Sequence, residues 1–232
     1  TTGKFDTLSI AGGAPIGRAV DLDLADFNAD GKLDIAVLVN DTSYVGYSSS
    51  SSNWAVVTGS NSLWSATAKL YLGYFGGCSG LEISDGGRVD TDTAYLGYNS
   101  SSSNNWAVVA GSGAVWSNRA SLLIGNGGFG NSLVVSNNGT VVANAAYVGY
   151  LSGGNQALVA AGGVLRSSLL EVGAYYGSND LRVTDGGSVI TDSLFVGFDS
   201  GALSNQVRLD GGSLTVTNSP GLASLVVGRG GQ

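Results

Sequence analysis

The stretch Leu181-Arg-Val-Thr-Asp-Gly-Gly-Ser-Val189 decides how this chain folds. Apolar and polar residues alternate up to Thr184, the mark of a strand with one buried face. Asp185-Gly186-Gly187 then offers the positive backbone dihedrals of a tight turn. Leu81-Glu-Ile-Ser-Asp-Gly-Gly-Arg-Val89 and Leu133-Val-Val-Ser-Asn-Asn-Gly-Thr-Val141 repeat the pattern, and looser copies start at Ala55, Ala107, Ala157 and Val207. Aligning the second apolar position of each copy gives Val57, Ile83, Val109, Val135, Val159, Val183 and Leu209, in steps of 26, 26, 26, 24, 24 and 26 residues. A period held that closely predicts an all-β fold: a parallel β-helix, or β-solenoid, of about seven 24–26-residue coils.

Outward from that stretch, each coil reads as three strands. The first ends before a Gly and carries the pairs Leu70/Leu72, Ala94/Leu96, Leu122/Ile124, Ala146/Val148, Leu170/Val172, Leu194/Val196 and Leu225/Val227. The second is the type quoted above. The third carries Leu63, Val89, Val115, Val141, Leu165, Val189 and Leu214. Each ladder keeps one parity of its strand, so a narrow interior of stacked aliphatic side chains is expected. At roughly 4.8 Å per coil the rod would be about 35 Å long. Trp64 and Trp116 follow the third ladder by one residue and are expected to cover a corner. The longer connections hold Ser48–Ser52, Ser100–Ser103 and Asp199–Ser204, which read as solvated edge loops.

Composition narrows the functional classes. Gly contributes 38 of 232 residues, yet 43% are hydrophobic, which fits neither collagen nor a disordered chain. A net charge of −7 with ten Lys plus Arg argues against nucleic acid and anionic membrane surfaces. No run of 18 apolar residues occurs, so no membrane-spanning helix is expected. There is no His, and Cys78 is the one cysteine; it reads as a small residue filling a corner. Asp85, Asp185 and Asp210 belong to turns, and Asp90, Asp92 and Asp192 read as solvated corner carboxylates. No catalytic residue is assigned, and the chain is expected not to be an enzyme. Acceptor sequons occur at Asn40, Asn99 and Asn138.

Residues 1–41 stand outside the repeat and are expected to form a cap, with the rod spanning 42–232. Here Asp26-Phe-Asn28-Ala-Asp30-Gly31-Lys-Leu-Asp34 sets side-chain oxygens at alternate positions around a Gly bend, which suits a calcium ion. The twelfth position, where a helix–loop–helix site needs Glu, is Val37, and Ile35-Ala-Val-Leu-Val39 reads as a strand. The nonapeptide therefore resembles the FG-GAP (VCBS) calcium repeat. That resemblance implies Asp26, Asn28, Asp30 and Asp34 as side-chain ligands, with the Lys32 carbonyl a fifth. A single such unit cannot form a propeller, so a calcium-rigidified cap over the first coil is expected.

Opposite in parity to the interior, the first strand reads Tyr44, Tyr71, Tyr95, Leu123, Tyr147, Glu171, Phe195 and Val226. Such a stripe forms cross-strand ladders and, where exposed, marks a protein contact or a sugar-stacking platform. On the second face, Trp54, Val56, Trp106, Val108 and Val134 extend the apolar surface before Arg182 and Arg208 turn it charged. The candidate interface thus comprises Tyr44, Tyr71, Tyr95, Tyr147, Phe195, Trp54 and Trp106.

The run from Ala94 to Tyr150, AYLGYNSSSSNNWAVVAGSGAVWSNRASLLIGNGGFGNSLVVSNNGTVVANAAYVGY, resembles the repeat of bacterial autotransporter passengers and PEP-CTERM surface proteins. The resemblance spans about residues 42–232, most closely in the first three coils. It implies a secreted, surface-exposed β-solenoid and transfers no catalytic residues. The function expected is an extracellular structural protein that self-assembles head-to-tail into a calcium-stabilised surface filament. The alternative is an adhesin or carbohydrate-binding rod that holds surface glycans; a polysaccharide-cleaving β-helix ranks third.

Overall fold

The computed structural model describes residues 19–25, 34–39, 42–48, 51–219 and 221–228, and no helix occurs among them. The strands are β1 (Ala19–Ala25), β2 (Asp34–Val39), β3 (Thr42–Val45), β4 (Trp54–Thr58), β5 (Leu63–Leu72) and β6 (Gly80–Ser84). Next come β7 (Arg88–Leu96), β8 (Trp106–Ala110), β9 (Val115–Ile124), β10 (Ser132–Ser136), β11 (Thr140–Val148) and β12 (Gln156–Val159). The last are β13 (Val164–Val172), β14 (Asp180–Thr184), β15 (Ser188–Val196), β16 (Gln206–Asp210), β17 (Ser213–Val216) and β18 (Ser224–Val227).

One sheet stacks β4, β6, β8, β10, β12, β14 and β16; the other runs from β1 and β2 through β5, β7, β9, β11, β13 and β15 to β17 and β18. Every ladder is parallel except β1–β2, which is antiparallel. The fold is a β-solenoid of about seven turns. In β5, β7, β9, β11, β13 and β15 the expected third and first strands of successive coils are joined in one strand of nine or ten residues, whereas in the last coil they stay separate as β17 and β18. In β7 the inward alternation breaks between Asp92 and Thr93, so the chain bends there while its ladder continues.

The interior is the expected aliphatic stack. Leu70, Leu72, Ala94, Leu96, Leu122 and Leu170 are buried from the first strands, and Leu81, Ile83, Val109, Val135 and Val183 from the second. The third ladder differs in two coils. The partners of Val89 are Trp64 and Trp116, and Val141 also pairs with Trp116, so Leu63 and Val115 stand one residue off the inward column. Trp116 lies fully buried among aliphatic neighbours instead of covering a corner, and Leu63 is exposed. The cause is one additional turn residue in each of these coils, accommodated by left-handed Gly59 and Asn61 before Trp64 and by left-handed Gly111 and Gly113 before Trp116. A second additional residue between Asn118 and Ser121 shifts the register back, so Leu122 and Ile124 again point inward.

A polar column runs beside this core. Asn105, Asn131, Asn155 and Asn179 are almost fully buried, one per coil, just before the second strand. The Oδ1 atoms of Asn105, Asn131, Asn155, Asn179 and Asn205 each accept the backbone N–H of the preceding column member, beginning with Ser79, at 2.9–3.0 Å. Each of these Oδ1 atoms from Asn131 onward also accepts the preceding Asn Nδ2, at 3.0–3.1 Å. Every Nδ2 donates as well to a carbonyl of its own loop, such as Gly128 for Asn131 and Ser152 for Asn155. The column therefore satisfies polar groups that burial would otherwise strand. The Gly closing each first strand belongs to the same device: a Cβ on Gly125, whose φ is +82°, would lie 2.2 Å from the Asn155 amide.

Candidate interaction surface

The first of two candidate surfaces is built from the motif Tyr-x-Gly-Tyr. The left-handed Gly73 turns the chain at the corner and brings Tyr74 beside Tyr71; Gly46 and Gly97 do the same for Tyr47 and Tyr98. Register then sets Tyr44, Tyr71 and Tyr95 in one column, stacked 5.0 Å apart with interplanar angles of 9°. Tyr47, Tyr74 and Tyr98 form a second stacked column at 5.5 and 5.0 Å, and the two columns meet edge to face. Leu123 and Asn126 interrupt the array, Tyr147 and Tyr150 resume it, and the buried Glu171 with Ala174 interrupts it again before Phe195 and Phe198.

Sequence reading named the first column and missed the second. The signal was present: an aromatic three residues on, with Gly between. Its consequence is that the stripe is a packed layer more than an open face. Tyr71 is 5% exposed beneath Tyr74 and Tyr98, while Tyr44, Tyr95, Tyr147 and Phe195 are half-buried. The rings that do face solvent are Tyr47 and, on the adjoining loops, Phe75, Phe129, Tyr175 and Tyr176.

Burial raises the Tyr71 hydroxyl above the ordinary phenol value, and the neighbouring phenols push it the same way. Tyr44, Tyr95, Tyr147 and Tyr150 are raised for the same first reason, with Glu171 adding to Tyr147. A fold that favours the neutral phenol keeps this stability below about pH 10 and loses it as pH climbs through the raised values. Ultraviolet difference titration is therefore expected to show Tyr44, Tyr71, Tyr95, Tyr147 and Tyr150 ionising above the ordinary phenol range in the native protein and returning to it on unfolding. Ionisation of these five in the ordinary phenol range in the native protein would contradict the array.

The second surface is the outer face of the seven-stranded sheet. Trp54, Gly80 and Trp106 are successive members of one column. A Cβ on Gly80 would come within 2.1 Å of the Trp106 ring, so this Gly exists to let the indole lie flat across its strand. Trp54 and Val56 are 60% and 44% exposed, and Val108, Val134 and Leu158 are half-buried. Glu82 is the charge among them, and Arg182 and Arg208 follow toward the far end, with Arg208 3.8 Å from Asp180.

The remaining candidates fall elsewhere. Asp26, Asn28, Asp30 and Lys32 lie outside the described residues, as does Asn40; Asp34 opens β2, across from Ala25 of β1. Among the described residues no cluster of three or more metal-ligating side chains occurs. The Asn99 amide is engaged, donating to the Tyr74 carbonyl at 2.7 Å, whereas Asn138 sits exposed at a left-handed turn. Cys78 is an exposed corner residue with φ of 55°, so its thiol fills no interior space. Asp85 and Asp185 occupy exposed left-handed turn positions, as the sequence indicates. No family model, characterised protein or solved structure matches the chain.

Proposed function

We propose that this chain is a structural protein of the bacterial exterior, a β-solenoid subunit that joins end to end into a surface filament. The observation that carries the reading is the coil-on-coil register: each coil covers the aliphatic columns of the one before it, so a further coil, of this chain or of a second copy, would cover the last one described. Leu209, Leu225 and Val227 are 52%, 60% and 72% exposed, although the residues above them in the same columns, Val183, Leu194 and Val196, are 0%, 1% and 7%. Another coil laid against this one would cover them. Covering three such side chains contributes on the order of 5 kcal/mol, comparable to the lower estimates of what association costs. Assembly should therefore depend on concentration.

Calcium at Asp26, Asn28, Asp30, the Lys32 carbonyl and Asp34 is part of the proposal. In support, β1 and β2 form an antiparallel pair flanking residues 26–33, the strand–loop–strand setting of such a repeat. The antiparallel pair extends the sheet at β5, where β2 pairs through Leu38 and Val39. Negative-stain microscopy of the chain with calcium is expected to show rods that lengthen with concentration, and chelator is expected to shorten them and lower the melting temperature. Short rods of one length at every concentration would overturn the filament, and identical melting curves would overturn the metal.

A second reading, a rod that holds glycans, is favoured by the exposed rings of Phe75, Phe129, Tyr175 and Tyr176 along one loop edge. On that reading those loop rings, not the half-buried Tyr95 and Tyr147, make the contact.

A further inference from the structure

We infer that two copies of this chain also pair side by side, with their rods inverted, through the outer face of the seven-stranded sheet. The two-fold axis runs along β10. On that face Val134 has Val108, Glu82 and Val56 at successive steps on one side, and Leu158, Arg182 and Arg208 on the other. Glu82 and Arg182 are thus two strands from Val134 in opposite directions. Neither makes an ion pair among the described residues, and four strand spacings, about 19 Å, separate them. Within one rod they cannot meet.

Inverting a second rod about β10 brings them together twice. Val134 then faces its own copy, Val108 faces Leu158, and Glu82 faces Arg182 on each side. The apolar centre becomes covered and both lone charges become paired, which is the complementarity that fixes register at an interface. Rods laid parallel would set Glu82 on Glu82 and Arg182 on Arg182, so the charge order selects the inverted arrangement. Seven strands about 4.8 Å apart and about five residues wide give roughly 500 Å² per rod, or about 1,000 Å² in all. That lies at the low end for a specific contact, so a weak, concentration-dependent pair is expected. The face differs from the one used by end-to-end stacking, so either contact can fail without the other.

The test uses the full chain in sedimentation equilibrium and small-angle scattering. The expected species is a dimer about as long as the monomer and about twice as wide. Glu82→Arg and Arg182→Glu should each weaken it about tenfold or more, with unchanged melting curves. An equimolar mixture of the two variants, and the double variant alone, should both restore it, because each recreates opposite charges at both positions. A dimer of doubled length and single width would overturn this pairing while supporting the filament. A strictly monomeric chain, a dimer indifferent to both single variants, or a mixture that stays apart would overturn it as well.

Discussion

Asn131→Leu is expected to lower the stability of the rod by about 4 kcal/mol, although Leu nearly matches Asn in volume. Asn131 accepts the Asn105 backbone N–H at 2.9 Å and its Nδ2 at 3.0 Å, and it donates to the Gly128 carbonyl and to Asn155 Oδ1. An aliphatic side chain leaves the two donors of Asn105 with fewer acceptors at a site that is 0% exposed. Each buried group left unsatisfied costs about 1–3 kcal/mol, which is how a single amide reaches that total. Denaturant unfolding followed by hydrogen exchange at Asn105 checks both the size and the place. A loss below about 1 kcal/mol would mean that water enters and replaces the amide.

Asn131→Asp sharpens the same test. Its second oxygen would take the place of Nδ2, which now points at the Gly128 and Asn155 oxygens at 2.7 and 3.0 Å. Three oxygens close together favour the protonated acid, so the pKa of the introduced group rises above the unfolded value of about 3.9. Between those two values the native state holds the extra proton, and stability falls as pH rises. The variant should lie nearest the parent near pH 3 and furthest from it near pH 7. A deficit that does not change with pH would remove the amide ladder from the explanation.

How much of this was legible before the fold was known differs from column to column. The aliphatic interior was readable because turn and strand alternate at a nearly fixed period, and parity does the rest: Ile83, Val109 and Val135 are inward in the sequence and in the structure. The Asn column obeys the same spacing, Asn105 to Asn131 to Asn155 to Asn179, yet Asn in a Ser- and Gly-rich loop reads as ordinary turn chemistry. Only coils in register turn that residue into an acceptor for the coil before it. The second aromatic column was hidden in the same way, because Tyr74 lies across a corner and alternation stops at corners. The exposed face of the seven-stranded sheet was legible as a list of residues, but the equal distance of Glu82 and Arg182 from Val134 required the strand pairing.

Trp116 is where the period misleads, and it supplies the other large expected effect. Counting six residues from Val109 lands on Val115, the position equivalent to Val89 by number; the true partner of Val89 is Trp116. The indole is 0% exposed in a column that it shares with Trp64 and that is otherwise made of Val and Leu, so Trp116→Ala should destabilise by about 3–5 kcal/mol through the void it leaves. Trp116→Phe should cost far less, about 1 kcal/mol. It keeps most of the ring volume and removes an indole N–H that is buried without an acceptor among the described residues. Fluorescence separates this residue from Trp54, which is 60% exposed: subtracting the Phe variant from the parent should leave a blue-shifted component. If Trp116→Ala cost no more than a surface change, about 0.5 kcal/mol, Val115 would return to the core. The additional residues in the turn and in β9 would then have no reason to compensate one another. Their pairing in both Trp-bearing coils, with register shifts at Ala66/Lys69 and at Asn118/Ser121, ties the large side chain to the longer coil.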